Sequence, residues 1–258
     1  MRIARIAHPT GMSFAVLEGE GRGATAAEIE GHPFAQIKLT SQRWSLEDVR
    51  LLAPILPSKV VCVGRNYADH AAELGNEVPK EPLIFLKPST SVIGPAEQIR
   101  LPAVSDQVEH EAELAVVIGL HGARGLDREA AKASIFGYTC ANDVTARDLQ
   151  HQDVQFTRAK GFDSFCPLGP WIETDADVSD AEVRCEVNGE VRQLGSTKDM
   201  VFDPATLVAY VSQVMTLLPG DVVLTGTPAG VGPLQAGETV SVSVAGVGTL
   251  SNKVVPSE

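Results

Sequence analysis

The stretch "VEHEAELAVVIG", Val108 to Gly119, limits what this chain can fold into more than any other segment. Its second half, Leu114 to Ile118, is an apolar run without a charge, the pattern of a strand buried on both faces. Its first half places Glu109, Glu111 and Glu113 at every second position. Alternate residues of a strand share a face, so the spacing predicts three carboxylates pointing the same way. Like charges at the mouth of a buried strand repel, and desolvation adds to the cost. Two readings resolve the conflict: an edge strand whose outer face is wet, or a divalent cation held by the carboxylates. Glu111 and Glu113 stand about 7 Å apart along a strand, so both can lean onto one hard ion such as Mg²⁺, Mn²⁺ or Ca²⁺.

The rest of the chain limits the partners. Its 258 residues suffice for one large domain, or a large domain with a small one. The formal charge of −12 repels phosphate backbones and anionic lipid, and no basic cluster offsets it, so neither nucleic acid nor a membrane surface is an expected partner. The opening "MRIARIAHPT" lacks the apolar core of a signal peptide, and no apolar run approaches the roughly 20 residues needed to cross a bilayer. Cys62, Cys140, Cys166 and Cys185 are widely separated, without a C-x-x-C pair, and read as reduced core thiols. Together these features predict a cytoplasmic protein.

Residues 1 to 57 read as a small N-terminal unit and residues 58 to 258 as a larger second domain. In the first, "RIARI" and "SFAVLEG" have strand character, "GEGRGATAAEIEGHP" is loop-like, and Pro54 and Pro57 close the segment. In the second, "KVVCVG", "PLIFLKP", "EAELAVVIG" and "FGYTCAND" read as strands, and "ADHAAEL" and "DREAAKASI" as helices. "RCEVNGEVRQ" carries the Asn-Gly signal of a two-residue hairpin. "PATLVAYVSQVMTLLPG" reads as a helix from Pro204 to a stop at Gly220. Strands outnumber helices and do not alternate with them evenly, so the expected class is a β-rich α+β fold.

Several polar residues could join the carboxylates. Asp143, in "CANDVTARD", lies at the end of a strand and points into a cleft or caps the helix that follows. His70 and Glu73 are i, i+3 neighbours on a helix: a general base with its orienting acid, or an ordinary exposed pair. The Gly- and Pro-rich "GNEVPKEP" after them suits a mobile flap. Lys160 lies in an uncharged, turn-rich segment, where it either snorkels to solvent or faces an anionic ligand. "LTGTPAGVGP" lacks the residues of a phosphate loop or a dinucleotide fingerprint, though Thr227 or its neighbouring N–H groups can still meet a carboxylate.

Taken in order, "GRNYADH", "FLKPSTS", "EHEAELAVVIG", "NDVTARD", "RAKGFDSFCPLGPW" and "LTGTPAGVGP" resemble the motifs of the fumarylacetoacetate hydrolase family. The likeness runs from about Lys59 to the C-terminus, and in the shorter bacterial members it includes the N-terminal segment. The resemblance implies a mixed β-sandwich or roll as the catalytic domain, and a homodimer. It implies that Glu111, Glu113 and Asp143 hold Mg²⁺ or Mn²⁺, that His70 and Glu73 form the general-base dyad on a lid, and that Lys160 faces the substrate's oxyanion. Arg147, Gln150 and Thr227 match positions lining the substrate site in the small decarboxylase and acylpyruvase members. Glu109 has no such counterpart and is left as a neighbour or a surface group. The hydrolase that names the family has a further aspartate ligand where this chain has Val63, a difference that points away from fumarylacetoacetate itself.

The activity so implied is metal-dependent enolate chemistry on a small 2-oxo acid, first as decarboxylation or C–C hydrolysis of the oxaloacetate or acylpyruvate type. The alternative is the isomerisation of 2-hydroxyhepta-2,4-diene-1,7-dioate, with the linked decarboxylation of 5-carboxymethyl-2-oxo-hex-3-ene-1,7-dioate. A non-catalytic, metal-stabilised binding protein would need none of His70, Glu73 and Lys160.

Overall fold

The computed structural model describes residues 1–21 and 23–256. Arg22, within the segment read as a loop, and residues 257–258 lie outside the described residues. The main sheet runs through the strands Leu39–Ser45, Thr25–Ile29, Gly11–Glu18, Arg2–His8, Cys166–Glu173, Ile135–Asn142, Ala112–Ile118, Val222–Leu224, Val60–Gly64 and Leu83–Lys87. The strand Arg2–His8 pairs antiparallel with Cys166–Glu173, so the first five strands extend the sheet formed by the later sequence. A second sheet of five strands orders Glu190–Ser196, Glu182–Val187, Thr239–Val244, Gly248–Pro256 and Gln98–Leu101. The class is the β-rich mixed fold expected from the sequence.

The apolar run is buried because both faces of its strand are covered. Leu114 and Ala112 pack with Val183, Cys185, Val242 and Leu250 of the second sheet. Val116 and Ile118 meet Leu207, Val208 and Val211 of the helix Pro204–Val214. On the other face, Ala115 and Val117 join Phe34, Ile55, Leu168 and Ile172. At about 25 cal/mol per Å² of apolar surface removed from water, such two-sided burial stabilises the strand whose end carries the charges.

Local chemistry explains the connections. Asn188 and Gly189 adopt φ of 51° and 80°, the two left-handed positions of a type I′ turn between Glu182–Val187 and Glu190–Ser196. Asp127 and Asp203 cap the helices Arg128–Ser134 and Pro204–Val214 by accepting from Ala130 N and Thr206 N. The buried Asp221 carboxylate accepts from Ser58 N at 3.0 Å, Ser58 Oγ at 2.6 Å, Lys59 N at 3.2 Å and Leu218 N at 2.7 Å. It thereby ties the start of Val60–Gly64 to its parallel neighbour Val222–Leu224.

Three local expectations are corrected. The segment read as a loop contains the strand Thr25–Ile29, whose Ala26 and Ala27 are fully buried; small side chains suit its tight packing but give a weak strand signal. The helix beginning at Pro204 ends at Val214, not beside Gly220, because Leu217 leaves the helical path to bridge Ala123. The strand bearing the glutamates is broken at Glu111: Val108–His110 belongs to a small sheet with Thr145–Ala146 and Gly232–Pro233. The three carboxylates therefore do not lie on one continuous strand face.

Candidate active site

Breaking the strand turns Glu109 aside and leaves Glu111 and Glu113 facing the end of the neighbouring strand. Ala112 pairs with Asn142 and Glu113 with Ala141, which brings Asp143 alongside. Asp143 N donates to Glu111 O at 2.9 Å, and Glu111 N donates to Asn142 Oδ1 at 2.9 Å. Asp143 is thus no helix cap; the helix Arg147–Gln152 begins after Ala146 without a side-chain cap. Ligand oxygens of Glu111, Glu113 and Asp143 lie within 4.8 Å of one another. All three residues are buried, 4%, 1% and 1% exposed.

Three cations balance this cluster. Lys160 Nζ donates to Glu111 Oε2 at 2.7 Å and Asp143 Oδ2 at 2.8 Å. Lys87 Nζ donates to Asp143 Oδ1 at 2.6 Å and Val144 O at 3.1 Å. Arg147 donates to Glu111 through one amino nitrogen, and to Glu109 through Nε at 2.7 Å. Glu109 is therefore a buried anchor for the arginine that holds Glu111, not a surface group. Burial alone would push the Glu111 carboxyl up, but Lys160 and Arg147 outweigh it and hold the group well below the usual carboxylate range.

Glu113 has no cationic partner among the described residues. Its Oε2 accepts from Gly226 N at 2.6 Å, and burial, together with the charges of Asp143 and Glu111, raises its pKa well above the ordinary value. Gly226 is required for this approach: its φ is +95°, and a Cβ there would fall 2.7 Å from Asn66 Cβ. The donor set fits a hard divalent ion, since all three candidate ligands are carboxylates and one lacks a compensating charge. Ligands about 2.1 Å from Mg²⁺ lie at most about 4.2 Å apart, so a small inward rotation would complete the set.

The triad opens into a cavity of about 300 Å³, whose walls include Val63, His70, Arg147, Gln150, Lys160 and Thr227. Every substrate-lining or catalytic candidate drawn from the sequence reaches this cavity except Glu73, which stands behind His70. His70 is buried on the helix Ala68–Glu73, and its Nδ1 lies 3.3 Å from Glu73 Oε2. Glu73 also accepts from Gly230 N at 3.0 Å. Gln150 accepts from Arg147, while Thr227 Oγ1 donates to Ala112 O at 2.8 Å and receives Gln193 Nε2 at 2.7 Å. Residues 75–82, read as a flap, carry no helix or strand.

Several supporting residues are not evident from the sequence. Lys87 is the clearest; its signal is a lysine ending the apolar strand "LIFLK". Gln193 also accepts from Ala112 N at 3.0 Å, fixing the start of the ligand strand from the hairpin strand Glu190–Ser196. Asn66 is fully buried and spans two loops, donating to Phe202 O at 2.9 Å and Thr225 O at 2.7 Å. The four cysteines are buried free thiols. No described helix is long and apolar enough to cross a membrane.

This fold and carboxylate cluster coincide with a family match: a profile described as fumarylacetoacetate hydrolase C-terminal covers residues 59–255, and one described as Rv2993c-like, N-terminal, covers residues 1–54. The chain belongs to the fumarylacetoacetate hydrolase family. It is 54% identical over 261 residues to Protein Rv2993c of Mycobacterium tuberculosis, covering 99% of this chain and 98% of that one. It is 46% identical over 221 residues to the mitochondrial oxaloacetate tautomerase FAHD2A of Homo sapiens, covering 81% and 70%. Among solved structures, 2-hydroxyhepta-2,4-diene-1,7-dioate isomerase from Mycobacterium marinum superposes with a TM-score of 0.93 at 52% identity, covering 99% of this chain and 98% of that one. Fumarylpyruvate hydrolase from Pseudomonas aeruginosa, in complex with Mn²⁺ and pyruvate, superposes with a TM-score of 0.73 at 32% identity, covering 80% and 92%.

Proposed function

We propose that this protein is a divalent-metal-dependent enzyme that acts on small 2-oxo carboxylates through an enolate. One observation carries the reading: a buried triad, Glu111, Glu113 and Asp143, shares a cavity with Lys160 and the His70–Glu73 pair. A structural ion would need neither the histidine nor its carboxylate. Glu111, Glu113 and Asp143 would hold Mg²⁺ or Mn²⁺, which supplies Lewis acidity toward the carboxylate and keto oxygens of a 2-oxo acid.

The chain's own groups then divide the work. Lys160, fixed by Glu111 and Asp143, sets a permanent positive charge beside the keto oxygen where negative charge collects. Glu73 engages His70 Nδ1 and so leaves Nε2 to exchange a proton at the cavity. Val63 and Leu83 close part of the wall with apolar surface, which strengthens the electrostatic terms inside.

The motifs alone favour decarboxylation or C–C hydrolysis over isomerisation. The likeness to an oxaloacetate tautomerase and a dienedioate isomerase supports proton transfer beside the keto group as the primary reaction. Hydrolysis of an acylpyruvate is the second reading, favoured by the likeness to fumarylpyruvate hydrolase. A single assay separates them: Mn²⁺-loaded protein is given oxaloacetate, acetylpyruvate or the dienedioate, with enol absorbance and released pyruvate followed together. Accelerated enol–keto exchange without pyruvate supports the primary reading. Pyruvate release supports cleavage, and inertness toward all three sinks the proposal.

A further inference from the structure

Arg65 stands apart from the other cations at the site. It lines the cavity with His70, Lys160 and the triad, and its side chain is half-buried. Lys87, Lys160 and Arg147 are all committed to carboxylates. Arg65 has no hydrogen bond or ion pair among the described residues, so its five donors remain available.

Its backbone is also unusual. Arg65 adopts φ +58°, a left-handed conformation that is unfavourable for a non-glycine residue. The next residue holds the turn in place. Asn66 Oδ1 accepts from Phe202 N at 2.9 Å and its carbonyl from Val201 N at 2.8 Å, while its amide grips Phe202 O and Thr225 O. A free arginine on a strained turn, clamped from two loops and lining the cavity, is a preset contact for an anion.

The charge balance indicates which anion. Four buried carboxylates, Glu109, Glu111, Glu113 and Asp143, face three buried cations, Lys87, Arg147 and Lys160. A divalent ion held by the triad would add two positive charges there, and Arg65 is the one further Lys or Arg lining the cavity that no carboxylate engages among the described residues. A 2-oxo dicarboxylate supplies a second carboxylate to match Arg65, whereas a monocarboxylate leaves that guanidinium unpaired.

We infer that Arg65 is the specificity residue that binds the distal carboxylate of a 2-oxo dicarboxylate whose 2-oxo acid end occupies the triad. The inference rests on the proposed reading of the cavity as a 2-oxo acid site. Binding of pyruvate, oxaloacetate and 2-oxoglutarate to Mn²⁺-loaded protein, measured by ligand-dependent melting shifts, tests it without turnover. The wild type should prefer a dicarboxylate to pyruvate. Arg65→Gln, which keeps a Cβ on the strained turn, should weaken that dicarboxylate about 10- to 100-fold and pyruvate less than about threefold. Arg65→Lys should restore part of the preference, and an unchanged Mn²⁺-induced melting shift in both variants shows that the triad is intact. Equal weakening of both ligand classes, or no change in either, overturns the inference and leaves the 2-oxo acid reading standing. Failure of the wild type to bind any of the three overturns both.

Discussion

Lys87 Nζ lies 2.6 Å from Asp143 Oδ1, and neither side chain reaches solvent. A lysine sealed on a sheet strand is tolerable only because a carboxylate lies directly across from it within hydrogen-bond distance. The pair locks Leu83–Lys87, at one end of the main sheet, to the segment that delivers a proposed metal ligand. Lys87→Met should therefore destabilise the metal-free protein by about 3 kcal/mol, read from urea unfolding. Adding Asp143→Asn in the same chain should return part of that loss. A neutral Lys87→Met would mean that the pair contributes no net stability.

Glu113 is the carboxylate without a cation, so its removal has opposite effects on the two forms of the protein. Glu113→Gln should melt no lower than wild type in EDTA, because a buried carboxyl that burial and its carboxylate neighbours make costly to ionise is replaced by a neutral amide. The same variant should lose most of the melting rise that wild type gains from Mn²⁺. A full Mn²⁺ response in Glu113→Gln would remove this residue from the ligand set.

The same group sets a pH dependence. The Glu113 pKa is raised on folding, so the metal-free folded state binds more protons than the unfolded state above the usual carboxylate value of about 4.5. Stability contributed by this group is present below that value and is lost as pH rises toward the folded pKa. Melting curves in EDTA should show this fall, and saturating Mn²⁺ should remove it by displacing the proton. Identical pH slopes in EDTA and Mn²⁺ would contradict the assignment.

His70 should separate chemistry from binding. His70→Gln is expected to keep its Mn²⁺ melting shift and to lower turnover about 10²- to 10⁴-fold. Glu73→Gln should have a smaller effect, since it removes only the group that orients the imidazole. Full activity in His70→Gln would exclude the histidine as the proton carrier.

The parts of this site that were legible in the sequence are those where a residue contradicts its surroundings. Glu111 and Glu113 interrupt an apolar strand, and Asn188-Gly189 interrupts two alternating ones. The contradiction is local, so the sequence shows it. Asn66 and Gln193 act on partners far along the chain, and nothing near them signals those contacts; Lys87 ends an apolar strand, but its partner Asp143 is equally remote in sequence. The helix end at Val214 was missed for a similar reason: "MTLL" continues an apolar helical pattern, and only the bridge from Leu217 to Ala123 diverts it. The strand Thr25–Ile29 was missed because buried alanines carry little strand signal of their own.

The ladder between Ala112–Ile118 and Ile135–Asn142 also bears on how the protein matures. Glu113 and Asp143 converge only while Ala112 is opposite Asn142 and Glu113 opposite Ala141. A slip by one residue would turn Glu113 into the apolar layer and leave the triad unmade. An ion added during refolding should thus bind late, after this pairing has closed, and then oppose its reopening. Substitutions along the ladder that touch no ligand could abolish ion affinity simply by permitting the neighbouring alignment.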